Sequence, residues 1–316
     1  MKISDLKVND KAKITLVVLS AAARETRAKK PYLMLELFDG VEKISGNFWD
    51  WSGEKIPEVN SILDIVCTVT EWQGVKQLNI AGLKSNTERH LSEFMPASTH
   101  DLSTAYKELY SLMVDVKNDT LRNIALAILE DLSSLWLAVP GARSVHHAYI
   151  GGTLIHSLSV CKIAKAIALV SPNANVDLTV VGAALHDIGK LFTYEINGIA
   201  IDTTNAGKLF DHTFIGANHI RSTAHAIGPT IDGEVVDLLT HIVLSHHGKL
   251  EYGAVVTPQC IEAYIVHMAD NLDATCEQIA EASSKAGYNQ WTDKIWTLDN
   301  RPHLSVQYVD AVLGGK

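Results

Sequence analysis

Histidine and aspartate side chains lie inside apolar stretches in the second half of the chain, where they can bind metal or transfer protons. His156 lies in GGTLIHSLSV, the adjacent pair His186 and Asp187 lies in ALHDIGK, and Asp270 lies in HMADNLDAT. Burying a carboxylate beside an imidazole costs free energy unless a partner compensates, and a divalent cation does so. Imidazole and carboxylate ligands without thiolate suit Mn, Fe, Co, Ni or Zn, and they argue against a structural zinc site.

Three further histidines lie between the His-Asp pair and Asp270. His212 lies in KLFDHTFIG, and His246 and His247 lie in VLSHHGKLEYG. A single histidine in such a stretch is usually a packed core residue, so the indication comes from the whole set. The motif ALHDIGK ends in Lys190, a cation placed to meet a phosphate oxygen or a leaving group. The alternative is that this cation only complements the dipole at a helix C-terminus.

The segments that must position these side chains show the apolar spacing of helices. Pro140-Gly141 ends one helix, and Asn197-Gly198 marks a turn in a short hairpin, TYEINGIAI. We therefore predict an all-α bundle, and facing helices assemble metal sites in the interior of such bundles. The predicted helices cover residues 104–117, 119–138, 148–170, 176–188, 208–226, 232–246 and 258–284.

The first 90 residues instead show the β-rich runs and tight turns of a small barrel. The runs are AKITLVVLS, PYLMLELF, VEKISGNFW, SILDIVCTVTEW and VKQLNIAGL. Asp39-Gly40 and Gln73-Gly74 are turn signals between neighbouring runs. Five strands with a long first loop favour the OB-fold, a five-stranded Greek-key barrel, and another small barrel is the alternative.

The predicted barrel carries side chains that fit a single nucleic-acid strand. Four cations crowd the predicted first loop: Arg24, Arg27, Lys29 and Lys30. Five aromatic residues lie on or beside the second, third and fourth strands: Tyr32, Phe48, Trp49, Trp51 and Trp72. Aromatic faces stack on bases and cations follow phosphates, so we predict that the barrel binds single-stranded RNA or DNA. The alternative is that the aromatic residues belong to the core and that the basic loop is merely solvated.

Length and charge divide the chain in the same way. The chain has 316 residues, enough for about two domains. Residues 1–90 carry a net charge of +1 and residues 91–316 a net charge of −10, and the overall −9 disfavours a nonspecific nucleic-acid binder. We predict a barrel domain at 1–88, a polar linker at 89–103 and a helical domain at 104–316.

Other sequence features exclude several classes of protein. The four cysteines are scattered and form no CxxC, which fits a reducing cytoplasm. We see no signal peptide and no apolar run approaching the roughly 20 residues that span a bilayer. The chain has no GxxxxGK[ST], HExxH or GxSxG motif, so P-loop, zincin and α/β-hydrolase chemistry find no support.

The order His156, His186-Asp187 and Asp270 resembles that of the HD-domain metal-dependent phosphohydrolases. The stretches HHAYIGGTLIHSLSV, ALHDIGK, LSHHGKLEYG and HMADNLDA lie behind a barrel that contains YLMLELFDG and QLNI. Together they are similar to the YhaM-type 3′-to-5′ exoribonucleases over nearly the whole chain. One position departs from the family pattern, because Asp211 stands where we expect a glycine before the mid-domain histidine.

The resemblance implies a ligand set for two divalent cations per chain, with Mn²⁺ the first candidate. Asp187 bridges the two cations in this scheme. One cation takes His156, His186 and Asp270, and the other takes His212, His246 and His247. The departure at Asp211 leaves His219 as a second candidate for the mid-domain ligand. Asp187 and Lys190 are the predicted catalytic residues.

Three functions are consistent with these features. The first is a metal-dependent 3′-to-5′ exonuclease that shortens single-stranded RNA, with DNA as a further candidate substrate. The second is a small-molecule phosphohydrolase acting on nucleotides or a cyclic dinucleotide, and the third is a binding protein with a degenerate helical domain. The intact ligand set argues against the third, and the two-module architecture favours the first. We expect a cytoplasmic hydrolase that forms a homo-oligomer and has no membrane partner.

Overall fold

The computed structural model divides the chain into two compact units. The first comprises Met1–Ala97 with Ile196–Ala200, and the second comprises Ser98–Glu195 with Ile201–Lys316. The domain limits stated from the sequence stay a prediction. The structure describes residues 1–53, 55–95, 98, 100–143, 147–287 and 289–306.

The first unit contains a closed barrel of five strands in the order β1-β2-β3-β5-β4. All neighbouring strands are antiparallel except β3 and β5, which are parallel. Period-two alternation places Leu33, Leu35 and Leu37 in the core and leaves Met34 and Glu36 exposed. This confirms the predicted OB-like barrel. The strands are β1 (Lys11–Glu25), β2 (Pro31–Phe38), β3 (Lys43–Phe48), β4 (Ile62–Trp72) and β5 (Val75–Ser85).

Strand β1 is longer than the sequence predicts. The polar composition of residues 21–30 predicts a loop, but Ala21 pairs with Leu35 and the pairing with β2 continues to Glu25. A register shift between Val18 and Ser20 lets the strand bend and continue. Cross-strand pairing therefore overrides the local composition. The first loop shrinks to residues 26–30.

The second unit is the predicted helical bundle. Side-chain caps fix several helix starts: Asp101, Asn118, Asn175, Thr204 and Asp232 each accept a hydrogen bond from a backbone N–H in the first turn. The hairpin of β6 (Tyr194–Asn197) and β7 (Ala200–Thr203) follows the fourth predicted helix. The helices are α1 (Leu102–Val114), α2 (Asp119–Asp131), α3 (Ser133–Ala138), α4 (Gly152–Val170), α5 (Val176–Leu185), α6 (Lys190–Thr193), α7 (Asn205–Ile227), α8 (Gly233–Ser245) and α9 (Ile261–Ala286).

Helix α4 corrects one expectation from the sequence. Its 19 residues are long and apolar enough, by composition alone, to cross a membrane. However, 56% of its apolar window is buried, and it packs against α5 and α9 inside the bundle. Its second turn carries the buried His156. These are the properties of the core helix of a bundle.

Candidate metal centre

The helical unit brings all the predicted metal ligands together. His156 comes from the second turn of α4, and Asp270 comes from α9. Two histidines follow directly on helix ends, His186 after α5 and His246 after α8. His156, His186, Asp187 and His246 are each at most 1% exposed. The backbone leaves the helix at His186 and at His246. Their side chains therefore lie in one buried cluster with the ligands from α4 and α9.

One half of the cluster lies around His156. Its Nε2 is 3.1 Å from Asp270 Oδ1 and 3.3 Å from Asp187 Oδ2. His186 Nε2 is also 3.3 Å from Asp187 Oδ2, and it is 3.1 Å from His156 Nε2. Two imidazole nitrogens and two carboxylate oxygens therefore converge on one point.

The other half of the cluster holds three histidines. Ligand atoms of His212, His246 and His247 all lie within 4.8 Å of one another. Asp187 Oδ1 faces this group, at 3.4 Å from His212 Nε2 and 3.7 Å from His246 Nε2. The two oxygens of one carboxylate thus face two separate sets of imidazoles. Asp187 would therefore be placed to hold a cation together with either set.

Backbone and carboxylate acceptors fix which nitrogen of each ring faces the centre. His186 Nδ1–H donates to the carbonyl of Ala183 at 2.7 Å, and His246 Nδ1–H donates to the carbonyl of Val243 at 2.7 Å. His156 Nδ1 lies 2.7 Å from Asp273 Oδ2. Each ring therefore turns the Nε2 lone pair inward, the arrangement that outer hydrogen bonds produce in metal sites.

The cluster contains unpaired lone pairs that a cation would satisfy. Among the described residues, Asp187 Oδ1, His212 Nε2 and His247 Nδ1 are buried without a hydrogen-bond partner. Leaving such groups buried and unpaired costs about 1–3 kcal/mol each. The donor set of imidazole and carboxylate suits divalent transition metals. These residues fit a metal centre.

Charges in the cluster support the same conclusion. Burial alone would raise the pKa of Asp187, but Lys190 and His186 outweigh burial and hold that pKa well below its usual value. Burial opposes the charge of Lys190, yet Asp187 raises its pKa, so the ammonium persists. Burial and the neighbouring imidazoles lower the pKa of His246 and His247. Ionised aspartate and neutral histidine are the forms that bind metal.

His156 shows how strongly the site favours positive charge. Burial works against its protonation, but hydrogen bonds with Asp187, Asp270 and Asp273 raise its pKa well above the usual value. Three carboxylates around one imidazole thus favour positive charge at this point.

The structure places the two candidates for the mid-domain ligand in different surroundings. His212 lies in the cluster, whereas His219 packs on the ring of Phe192 with centroids 5.0 Å apart. Asp211 kinks α7 with φ 61° and ψ 161°, a left-handed conformation that favours glycine. This explains why glycine suits the position in the family pattern. The Asp211 carboxylate also accepts hydrogen bonds from the backbone N–H and Nδ1 of His212.

Gly189 of ALHDIGK allows the close approach of α7. A Cβ at this position would lie 1.9 Å from the carbonyl oxygen of His212. Only glycine therefore lets the backbone that carries His212 reach the His-Asp pair. The next residue, Lys190, begins α6 and places Nζ 2.6 Å from Asp187 Oδ2. Lys190 also lies past the C-terminus of α5, so the alternative that it complements that helix dipole stays open.

Asp273 is a site residue that the sequence analysis missed. Its Oδ2 contacts His156 Nδ1 and lies 2.9 Å from Nε2 of His147, and its Oδ1 accepts a hydrogen bond from Ser159. The available signal was its position three residues after Asp270 on the same helix. The sequence HHAYIGGTLIHSLSV also contains two adjacent histidines that could contact substrate, but His147 is buried beside Asp273. Its neighbour His146 lies outside the described residues.

A cavity of about 260 Å³ opens onto the cluster. Asp187, Lys190 and Asp270 line its floor, and Tyr252 and Asn271 line it as well. Lys190 thus presents a buried, persistent positive charge to any group that enters. The cavity gives access to the ligand cluster from outside.

The predicted aromatic residues of the barrel fall into two groups. The rings of Tyr32 and Trp49 stack with centroids 4.5 Å apart, and Trp49 and Trp72 are 42% and 66% exposed. Phe48 and Trp51 instead pack against the barrel core, which is the alternative stated from the sequence.

The four predicted cations of the barrel are all exposed, but not all lie in a loop. Arg24 lies in β1, opposite Tyr32, whereas Arg27, Lys29 and Lys30 lie in the loop that follows. Lys30 forms an ion pair with Asp50 at 2.9 Å. The basic group thus borders the Tyr32–Trp49 pair, of which Trp49 is exposed.

Comparison with known proteins defines the class. Residues 153–275 match the family model of the HD domain. The second unit is therefore an HD domain, and the protein is a hydrolase of this class, as the sequence predicts.

Relatives along the whole chain define the family. The 3'-5' exoribonuclease YhaM of Geobacillus sp. (strain WCH70) is 30% identical over 302 residues, which cover 93% of this chain and 91% of that protein. The 3'-5' exoribonuclease YhaM of Shouchella clausii (strain KSM-K16) is 31% identical over 293 residues, or 90% of each chain. The chain belongs to the YhaM family of 3'-5' exoribonucleases.

One solved structure resembles part of the chain. A crystal structure of a domain of replication protein A from Methanococcus maripaludis covers 27% of this chain and 92% of its own, with 23% identity and a TM-score of 0.25.

Proposed function

We propose that this protein hydrolyses single-stranded RNA from its 3′ end, releasing one nucleotide at a time at the HD centre. The observation that carries the proposal is the carboxylate of Asp187 facing two sets of imidazoles. This arrangement supports two divalent cations, with Mn²⁺ the first candidate and Co, Fe, Ni or Zn as alternatives. Family membership supports RNA as the substrate.

Different residues of the site have different roles in phosphodiester hydrolysis. A divalent cation supplies Lewis-acid polarisation of a phosphoryl oxygen and lowers the pKa of a water toward neutrality. His156, His186, Asp187 and Asp270 are placed to hold one cation, and Asp187 with the three other histidines is placed to hold the second. Lys190 lines the cavity as an ammonium, so it can hold a non-bridging phosphate oxygen or stabilise the leaving oxygen.

The barrel is proposed to hold the strand upstream of the scissile bond. Its half-buried Tyr32 and exposed Trp49 and Trp72 offer rings to bases, and the four cations beside them offer charge to phosphates. Such contacts do not depend on the 2′-hydroxyl, so DNA is a further candidate ligand. The homo-oligomeric state and the cytoplasmic location stay predictions.

Cleavage of end-labelled oligomers tests the proposal. RNA and DNA oligomers with a 5′ label are incubated with Mn²⁺ and resolved on a sequencing gel. We expect a ladder of shortened products that keep the 5′ label, and its loss on chelation. Hydrolysis of nucleotides or a cyclic dinucleotide without polymer cleavage would instead support a small-molecule phosphohydrolase.

A further inference from the structure

A second cavity of the HD unit lies between the C-terminal half of α9 and residues 291–297. Its volume is about 530 Å³. Trp291 and Trp296 both line it, and they are 66% and 73% exposed. Soluble proteins bury most of the surface of a tryptophan, so two exposed rings around one cavity mark a binding surface.

This cavity lies on the same face of α9 as the metal centre. Asp270 lines the catalytic cavity and Glu281 lines the second one. They are 11 residues apart, which is three helical turns and about 17 Å along the axis. Ala274 of the first cavity and Gln278 of the second continue the same row. One helix face therefore leads from the reacting phosphate to the two tryptophans.

The polar groups of this cavity fit a single nucleotide better than a run of phosphates. Lys285 is already paired with Glu281 at 2.6 Å, and Asp293 adds a second acidic group. Lys294 also lines the cavity, and no described carboxylate lies within ion-pair distance of its ammonium. Two indole planes, one available cation and little net charge suit one base with its phosphate.

We propose that this cavity, the tryptophan subsite, binds a nucleotide of the substrate strand upstream of the scissile phosphodiester. The inference rests on the proposed exonuclease function. At the 3.4 Å per nucleotide of a stacked strand, 17 Å corresponds to about five nucleotides, and an extended strand covers the distance with fewer. Trp291 and Trp296 thus bind substrates of about six nucleotides, whereas a dinucleotide does not reach them.

Kinetics with RNA oligomers of two to eight nucleotides test the subsite in the full-length, Mn²⁺-loaded enzyme. The double variant Trp291→Ala/Trp296→Ala is expected to lower kcat/KM for a hexamer by about 5- to 150-fold, because losing the stack on one base weakens binding by this factor. The change should appear as a higher KM. Dinucleotide hydrolysis is expected to stay unchanged. Trp291→Phe/Trp296→Phe keeps two aromatic planes and should retain most of the hexamer activity.

A matched control uses Tyr264→Ala, which removes an exposed aromatic ring on α9 that lines neither cavity. This variant should match the wild type on every length. A second readout is crosslinking of hexamers that carry 4-thiouridine at one position, irradiated in the presence of a chelator. The expected adducts lie on Trp291 or Trp296.

The outcomes separate the subsite from the function on which it rests. A wild-type enzyme that cleaves no RNA refutes the exonuclease and the subsite together. A wild-type enzyme that cleaves the hexamer, with tryptophan variants equal to it and no adducts in residues 289–297, refutes the subsite alone. Tryptophan variants that change only the oligomeric state would make this surface an interface between copies and would also overturn the proposal.

Discussion

The HD centre and the outer face of the barrel are built in opposite ways. His156, His186 and His246 are almost completely buried, and each has its Nδ1 held by a fixed acceptor. Trp49 and Trp72 are largely exposed on the barrel. Chemistry on a phosphate needs ligands held to within a fraction of an ångström, whereas holding any sequence needs only flat rings. The difference teaches that the bundle offers fixed, buried ligands, whereas the barrel offers exposed rings without fixed partners for a proposed strand to stack on.

The largest expected effect comes from Asp187→Ala in the HD centre. This change removes the carboxylate that faces both sets of imidazoles, so activity should fall by about three orders of magnitude or more. Folding should persist because the surrounding bundle core is unchanged. Single-turnover cleavage of labelled RNA, with circular dichroism in parallel, measures both.

A surface aspartate provides the control for that variant. Asp237 on α8 forms an exposed ion pair with Arg221, and such pairs contribute little. Asp237→Ala should leave cleavage unchanged. If Asp187→Ala kept wild-type activity, the assignment of the bundle as the site of chemistry would be wrong.

Much of this contrast could be predicted from the sequence. The apolar context of ALHDIGK and VLSHHGKLEYG identified the buried ligands because polar residues in such stretches need a compensating partner. The role of Asp273 was not readable, because a helix places residues three apart on one face without showing what faces them. The extent of β1 was missed because cross-strand pairing, not composition, carries it to Glu25. Aromatic identity likewise could not separate the exposed Trp49 from the packed Trp51.

Asp273 tests how much the HD centre depends on its outer hydrogen bonds. Asp273→Ala frees Nδ1 of His156, so we expect metal affinity and kcat/KM to fall by about 10- to 100-fold, the usual range for such partners. Asp273→Asn keeps an acceptor and should recover part of the loss. Titration with Mn²⁺ measures the affinity directly. Equal affinities in the wild type and both variants would show that Asp273 only fills space.

Changes at Asp211 are expected to affect activity less than changes at Asp273. They are also expected to change activity and stability in opposite directions. Asp211→Gly relieves the left-handed backbone, so thermal stability should stay the same or rise. The same change removes the acceptor for His212 Nδ1, so activity should fall by about tenfold. Asp211→Asn retains an acceptor and should lose less activity. A calorimetric scan beside the cleavage assay checks both signs, and full activity in Asp211→Gly would contradict the positioning role.

The smallest effect is expected on the barrel. Trp49→Ala removes half of the exposed ring pair, and stacking contributes about 1–3 kcal/mol per base. Affinity for a long single strand should therefore fall by at least about fivefold, with dinucleotide turnover unchanged. Affinity of the wild type should also decrease with salt, because bound phosphates release counterions. Fluorescence anisotropy with a labelled strand measures both, and an unchanged affinity would favour a role of the barrel in assembly.

The number of metal ions per chain tests the two-cation centre most directly. Chains saturated with Mn²⁺ and freed of excess metal are analysed for manganese and protein. We predict two ions per chain in the wild type and in His219→Ala, and about one in His212→Ala/His246→Ala, which should also be inactive. One ion per chain in the wild type, unchanged in the double variant, would contradict the bridging role of Asp187 and leave a mononuclear HD hydrolase.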